Sequence, residues 1–211
     1  MEILRDHMLI LPELQADIVA RCIAGNFGDE PRHAAQALGD IQLPDGSSKP
    51  VWLCHAADAV LLDDFGQTVL ITRLHNPGRG KQAIPGGLLD EVDGRVEDSR
   101  TAALREAMEE TGIGADVLAR ADIRQIGHRR YARPFDIRSA WNNLKGTPVR
   151  KGDFFTVSTM GFRIKIAGDL RDVALLAGDD ATAVHVVSIG GLTPEQFAVP
   201  DHIEMIREAL G

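Results

Sequence analysis

Arg105-Glu106-Ala107-Met108-Glu109-Glu110-Thr111-Gly112-Ile113 packs three carboxylates, one arginine and a terminating glycine into nine residues. Glu106, Glu109 and Glu110 stand at i, i+3 and i+4, so a helix gathers them on one turn. Like charges at that spacing repel and weaken a bare helix. A cluster this dense makes sense against a hard divalent cation, because Mg2+ and Mn2+ take oxygen ligands. The spacing predicts a helix opened by Asp98 or Ser99, whose side chains accept from free backbone N–H groups. Gly112 is expected to end it in the left-handed conformation that costs other residues more. Ala103, Leu104, Ala107 and Met108 are predicted to form the packed face, away from the glutamates. Arg105 precedes Glu109 by one helical turn and is suited to hold it. The alternative is a solvated acidic face with ordinary ion pairs, and a motif this short does not decide between the two.

Upstream, Gln82-Ala83-Ile84 reads as a strand end that runs into Pro85-Gly86-Gly87. Two glycines there let backbone amides and carbonyls come close to a ligand or ion. Glu97 stands eight residues before Arg105, at the helix entrance. With this order of glycine turn, acidic entrance and acidic helix, the chain resembles the Nudix hydrolase family. That signature runs Gly, five residues, Glu, seven residues, then Arg-Glu, an aliphatic, any residue, Glu-Glu, any residue, Gly and an aliphatic. The second half matches residue for residue, with Ala107 as a small member of the aliphatic class. In the first half, nine residues separate Gly87 from Glu97, which reads as a four-residue insertion in the loop 88–96.

The resemblance implies an α/β fold, an α/β/α sandwich around a central mixed sheet, covering residues 51–211. It implies metal-dependent hydrolysis of a diphosphate linkage, with Glu106, Glu109 and Glu110 holding Mg2+ or Mn2+ ions, aided by the Gly87 carbonyl. Arg105 would orient a glutamate, and Glu97 would be a further or water-bridged ligand. For the base, the family points to an acidic residue on a later loop, here Asp180 of Asp179-Asp180. A plain Gly-Asp turn is the competing reading of that dipeptide, and a glutamate of the helix is the other candidate base.

Composition sets outer limits. The chain has 211 residues, 44% of them hydrophobic, enough for one sizeable domain with an appendage. A balance of 23 basic against 31 acidic residues speaks against a nucleic-acid or anionic-membrane surface, which needs clustered positive charge. Cys22 and Cys54 do not make a disulfide framework and read as buried or partly buried thiols of a reducing compartment. No apolar run approaches the roughly 20 residues that span a bilayer, so a cytoplasmic location is expected.

Residues 1–50 read as a helical extension and linker. Leu11, Leu14, Ile18 and Cys22 recur at helical spacing, 31–38 suggests a second short helix, and 39–50 is turn-rich. From residue 51 the texture turns to strands. Runs at 57–62 and 68–72 flank a hairpin turn, Asp63-Asp64-Phe65-Gly66. Further strands are expected at 117–126, 154–166 and 181–188. A closing helical region starts near Thr193-Pro194-Glu195, with Ile203, Ile206 and Leu210 as its apolar face.

The substrate is read from weaker marks. Leu176-Ala177-Gly178-Asp179-Asp180-Ala181, the stretch from Arg133 to Trp141 and the closing Asp201–Ile206 segment are similar to segments of the ADP-ribose pyrophosphatase branch. That implies a small-molecule nucleoside diphosphate substrate, ADP-ribose, cleaved to AMP and ribose 5-phosphate. Tyr131, Phe135 and Trp141 are candidate stacking platforms for a base, against ordinary packing. Arg133, Arg73 and Gln82 are candidate phosphate or base contacts, and His128 and His185 read as structural. Alternatives in the same chemistry are a dinucleoside polyphosphate (Tyr131 stands near a tyrosine that such members carry), NADH, a nucleotide sugar or an oxidised nucleoside triphosphate. A non-catalytic nucleotide sensor on the same fold is the alternative from another class. Family members with an N-terminal extension often pair, which makes a homodimer through residues 1–50 an expectation as well.

Overall fold

The computed structural model describes residues 2–4, 8–10, 35–43, 45–75, 78–92, 95–130, 135–136, 141–142, 148–178 and 180–211. In chain order the strands before the acidic helix are β1 (Glu2–Leu4), β2 (Met8–Ile10), β3 (Ala35–Gln42), β4 (Ser48–Leu62), β5 (Gln67–Arg73), β6 (Gln82–Ala83), β7 (Gly86–Leu88), β8 (Glu91–Val92) and β9 (Arg95–Val96). Helix α1 (Ser99–Thr111) and the short α2 (Ala115–Leu118) follow. Then come β10 (Asp122–Arg130), β11 (Phe135–Asp136), β12 (Trp141–Asn142), β13 (Pro148–Val149), β14 (Phe154–Lys165), β15 (Ala181–Ser188) and α3 (His202–Leu210). This is the expected α/β class, a mixed sheet with flanking helices. Residues group into two compact units: Met1–Ala56, Leu88–Asp98 and Arg129–Thr159, and Ala57–Gly87, Ser99–His128 and Met160–Gly211.

In the first unit β3 runs antiparallel to the first part of β4, from Ala35↔Cys54 to Gln42↔Ser48. Ala35, Trp52 and Cys54 bury together against Phe155. Trp52 Nε1–H donates to Asp153 Oδ2 at 3.1 Å, which gives the buried indole its partner. Burial pushes the Cys54 thiol up to about 12, so it packs as a small apolar group. The loop 88–96 contains a two-residue-per-strand hairpin, with Glu91↔Val96 and Val92↔Arg95. Glu97 N–H donates to Asp90 O at 2.9 Å, and Asp90 N–H donates to Glu97 Oε2 at 3.3 Å. The loop between the glycine turn and Glu97 is thus a hairpin clasped at its base.

In the second unit β5 lies between β4 and the antiparallel β15, with Val184↔Ile71 at its centre. The turn between β4 and β5 is the predicted one: Asp63 Oδ1 accepts from Phe65 N–H and Gln67 N–H, each at 2.9 Å. β6 adds to β5 through Ile71↔Ala83 and Thr72↔Gln82, and β7 adds to β4. Val60, Leu62, Leu70 and Ile84 pack on Phe197 and on Ile203, Met205, Ile206 and Ala209 of α3. Those α3 residues recur at helical spacing and form its core stripe.

Several expectations change. Residues 35–42 form a strand rather than the end of a short helix and a linker, because pairing with β4 outweighs local preference. Residues 2–4 and 8–10 are also strands, whereas Leu11, Leu14, Ile18 and Cys22 lie outside the described residues. The strand expected at 117–126 begins only at Asp122, because Ala115–Leu118 closes a helical turn on Gly114 O. Leu210 is exposed, and Met205 takes its place in the core. Among the described residues no helix is long and apolar enough to cross a membrane.

Candidate active site

Helix α1 starts at Ser99, directly after Asp98, and closes at Gly112, whose φ is +65°. Gly112 N–H donates to Met108 O at 2.8 Å, the left-handed ending expected of glycine. The chain that returns past this end is pinned to it. Leu176 N–H donates to Thr111 O at 2.8 Å and Gly178 N–H to Glu110 O at 3.2 Å.

The three glutamates do not share one environment. Ala102, Ala103, Ala107, Glu110 and Thr111 are the buried residues of α1. Glu110 follows Ala107 and Ala103 at i+3 and i+7, so it sits on the packed stripe, and Met108, expected inside, is exposed. Glu110 Oε2 accepts from Gly86 N–H at 2.9 Å. Glu106 keeps 12% of its side chain exposed and Glu109 56%. Arg105 Nη1 donates to Glu106 Oε1 at 2.8 Å and to Glu109 Oε2 at 2.9 Å. A Cβ on Gly87 would lie 2.6 Å from Glu106 Cδ, so the Gly87 backbone lies directly against that carboxylate, which would have to shift to admit a side chain.

Burial first, and then the neighbouring Glu106 and Asp180 charges, push the Glu110 carboxyl up to about 8. The Gly86 N–H and the Arg73 guanidinium oppose that rise without cancelling it. Among the described residues no three His, Cys, Asp or Glu side chains converge ready-made on one point. The donor set nonetheless suits a hard cation: every side-chain donor is an oxygen, and Glu106, Glu109, Glu110 and Asp180 outnumber Arg73 and Arg105.

The other candidates fall in different places. Arg73 ends β5, and its charge acts on both Glu110 and His202. Asp180 is exposed just before β15, with Oδ1 3.6 Å from His75 Nε2, and its backbone O accepts from Leu74 N–H at 2.9 Å. Gln82 lies on β6, its Oε1 buried and meeting no donor among the described residues. Glu97 belongs to the first unit as the clasp of the hairpin loop. Phe135 and Trp141 are in β11 and β12 of that unit, while Tyr131 and Arg133 lie outside the described residues. His185 Nε2 is 2.9 Å from Thr72 Oγ1. Two residues went unnoticed in the sequence. Asp58 is a buried carboxylate whose Cα would lie 3.0 Å from a Cβ on Gly86; its only signal was an acid inside an apolar run. His202 is buried, and its Nδ1 accepts from Ile84 N–H at 3.3 Å.

A mixed-sheet α/β domain with an acidic helix set against a glycine turn defines the class. The family model of the NUDIX domain matches residues 53–202, and the chain belongs to that family. Among solved structures, the NUDIX domain of Shewanella oneidensis NrtR complexed with ADP ribose aligns at a TM-score of 0.50 and 19% identity, over 74% of this chain and 85% of that one. A bifunctional NMN adenylyltransferase/ADP ribose pyrophosphatase from Francisella tularensis aligns at 0.48 and 23% identity, over 74% of this chain. This chain spans only 40% of that protein's length. A C. elegans Ap4A hydrolase aligns at 0.45 and 17% identity, over 74% and 92% of the two chains. The likeness at a TM-score of 0.50 speaks to the fold alone, and nothing is argued from the other two. No curated protein matches the sequence.

Proposed function

We infer that the chain is a divalent-cation-dependent pyrophosphohydrolase that cleaves the diphosphate of a nucleoside diphosphate derivative, ADP-ribose, to AMP and ribose 5-phosphate. The observation that carries this reading is the approach of the Gly86-Gly87 turn to the acidic helix, with Gly86 N–H on buried Glu110 and the Gly87 backbone against the Glu106 carboxylate. Membership of the NUDIX family supports the chemistry.

In this reading Glu106, Glu109, Glu110 and the Gly87 carbonyl hold Mg2+ or Mn2+. When bound, the cation neutralises diphosphate oxygens that would repel a nucleophile and makes water easier to deprotonate. Arg105 steadies two of the glutamates. Arg73 and Gln82, close before the turn, take the phosphates, and Asp180 accepts the proton of the attacking water. The catalytic domain comprises residues 51–211 and acts in the cytoplasm, with residues 1–50 available for pairing two copies.

The test is a panel of ADP-ribose, dinucleoside polyphosphates, NADH, nucleotide sugars and oxidised nucleoside triphosphates, each with Mg2+ and with Mn2+, products identified by chromatography. AMP and ribose 5-phosphate from ADP-ribose are the expected result. Turnover of another compound with ADP-ribose inert would move the substrate and keep the chemistry, and no turnover of any would overturn both.

A further inference from the structure

We propose that His202 is a positioning residue for the glycine turn: its imidazole holds the strand that feeds Pro85-Gly86-Gly87 at the depth where Gly86 N–H meets Glu110. The proposal deepens the hydrolase reading and rests on it for its functional meaning. His202 opens α3 and is 6% exposed. Ile84 N–H donates to its Nδ1 at 3.3 Å, so that nitrogen carries no proton and the ring is the Nε2–H tautomer. The same stretch is gripped nearby. Ala198 N–H donates to Gln82 O at 2.8 Å, and Gln82 forms a parallel bridge with Phe197. The Phe197 and His202 rings meet edge-on, centroids 6.2 Å apart. On the other side Ala59 N–H donates to Pro85 O at 2.8 Å. The turn therefore hangs between β4 and the segment 197–202, and His202 supplies the side-chain acceptor next to it. Burial, and then the Arg73 charge, press the imidazole down to about 3, so the acceptor survives throughout the neutral range.

A histidine that merely fills space would behave differently from one that holds the turn. His202→Phe keeps a ring against Phe197 and removes the acceptor. His202→Asn loses the ring and keeps an acceptor near the position of Nδ1. Mn2+ binding followed by electron paramagnetic resonance should weaken about tenfold or more in H202F, the range seen when groups behind metal ligands are removed. It should stay close to wild type in H202N, and kcat should fall in the same order with KM little changed. Equal binding in H202F and wild type, or equal loss in both variants, would overturn the proposal. A wild type that binds Mn2+ yet hydrolyses no diphosphate sinks the hydrolase reading while the Mn2+ ranking still decides the role of His202. Nitrogen-15 spectra of the wild-type protein need neither ion nor variant: Nδ1 should be unprotonated and coupled to the Ile84 amide at pH 7, and a proton on Nδ1 ends the proposal.

Discussion

Glu110 carries the sharpest consequence of any single side chain. Its carboxyl is raised from 4.5 to about 8, chiefly by burial. A raised acid binds its proton more tightly when folded, so this contribution to stability is complete below 4.5 and is lost as pH climbs through 8. Glu110→Gln cannot ionise and still offers Gly86 N–H an acceptor. In the absence of divalent cation, its melting temperature should track wild type near pH 5 and exceed it by pH 9. Mn2+ should reverse that order, because only the wild type gains a bound ion. Turnover of E110Q should fall about a hundredfold, about 2.7 kcal/mol of barrier. Melting curves that stay parallel from acid to alkali would show that the carboxyl is not strained by burial. The sequence revealed the three glutamates and their common turn but not this division of labour. Helical spacing fixes angles between residues; it does not say which side docks, and only the packing of Ala103 and Ala107 turns Glu110 inward.

At the level of elements, the end of α1 joins the acidic turn to the returning chain. Gly112 holds φ at +65°, and a Cβ there would lie 2.9 Å from Leu176 O and 3.0 Å from Leu176 N. Gly112→Ala must strain its own backbone and displace a segment hydrogen-bonded to Thr111 and Glu110. A loss of about 2 kcal/mol is expected, about 6 °C in melting temperature for a chain of this size. Gly190→Ala, with negative φ and open space around its Cβ, is the matched control and should be neutral. Equal melting of the two variants would mean that the helix end is not pinned. This glycine was legible because a left-handed helix ending favours that residue. The strands around 57–62, 68–72, 154–166 and 181–188 were legible too: the apolar runs match the burial of β4 and β5 and the alternation that of β14, while β15 forms at the expected residues with its valines half-buried. Residues 35–42 were not, since Ala35-Gln36-Ala37-Leu38 suits a helix locally and becomes a strand by folding back on Val51–Cys54 through the short connection 43–47. Nor was the hairpin in the loop 88–96, whose two-residue strands are too short to leave a periodic trace.

For the molecule as a whole, the question is what residues 1–50 contribute. Read from composition they are an appendage, yet β3 lies within them and covers one edge of the first part of β4. Ala35 is wholly buried with Trp52 and Cys54, and Leu38 nearly so. A chain starting at residue 51 would lose that cover, expose the indole and leave the backbone groups of Val51 to Cys54 along an open edge. Restoring water to one large aromatic and its neighbours costs about 3 kcal/mol, or about 10 °C in melting temperature. The truncated chain should therefore melt lower and aggregate more readily, as followed by circular dichroism and light scattering. Light scattering on the full chain also tests the pairing of two copies. A truncated chain that melts like the full one and stays dispersed would instead support a domain that starts at residue 51, with β3 an ornament on it.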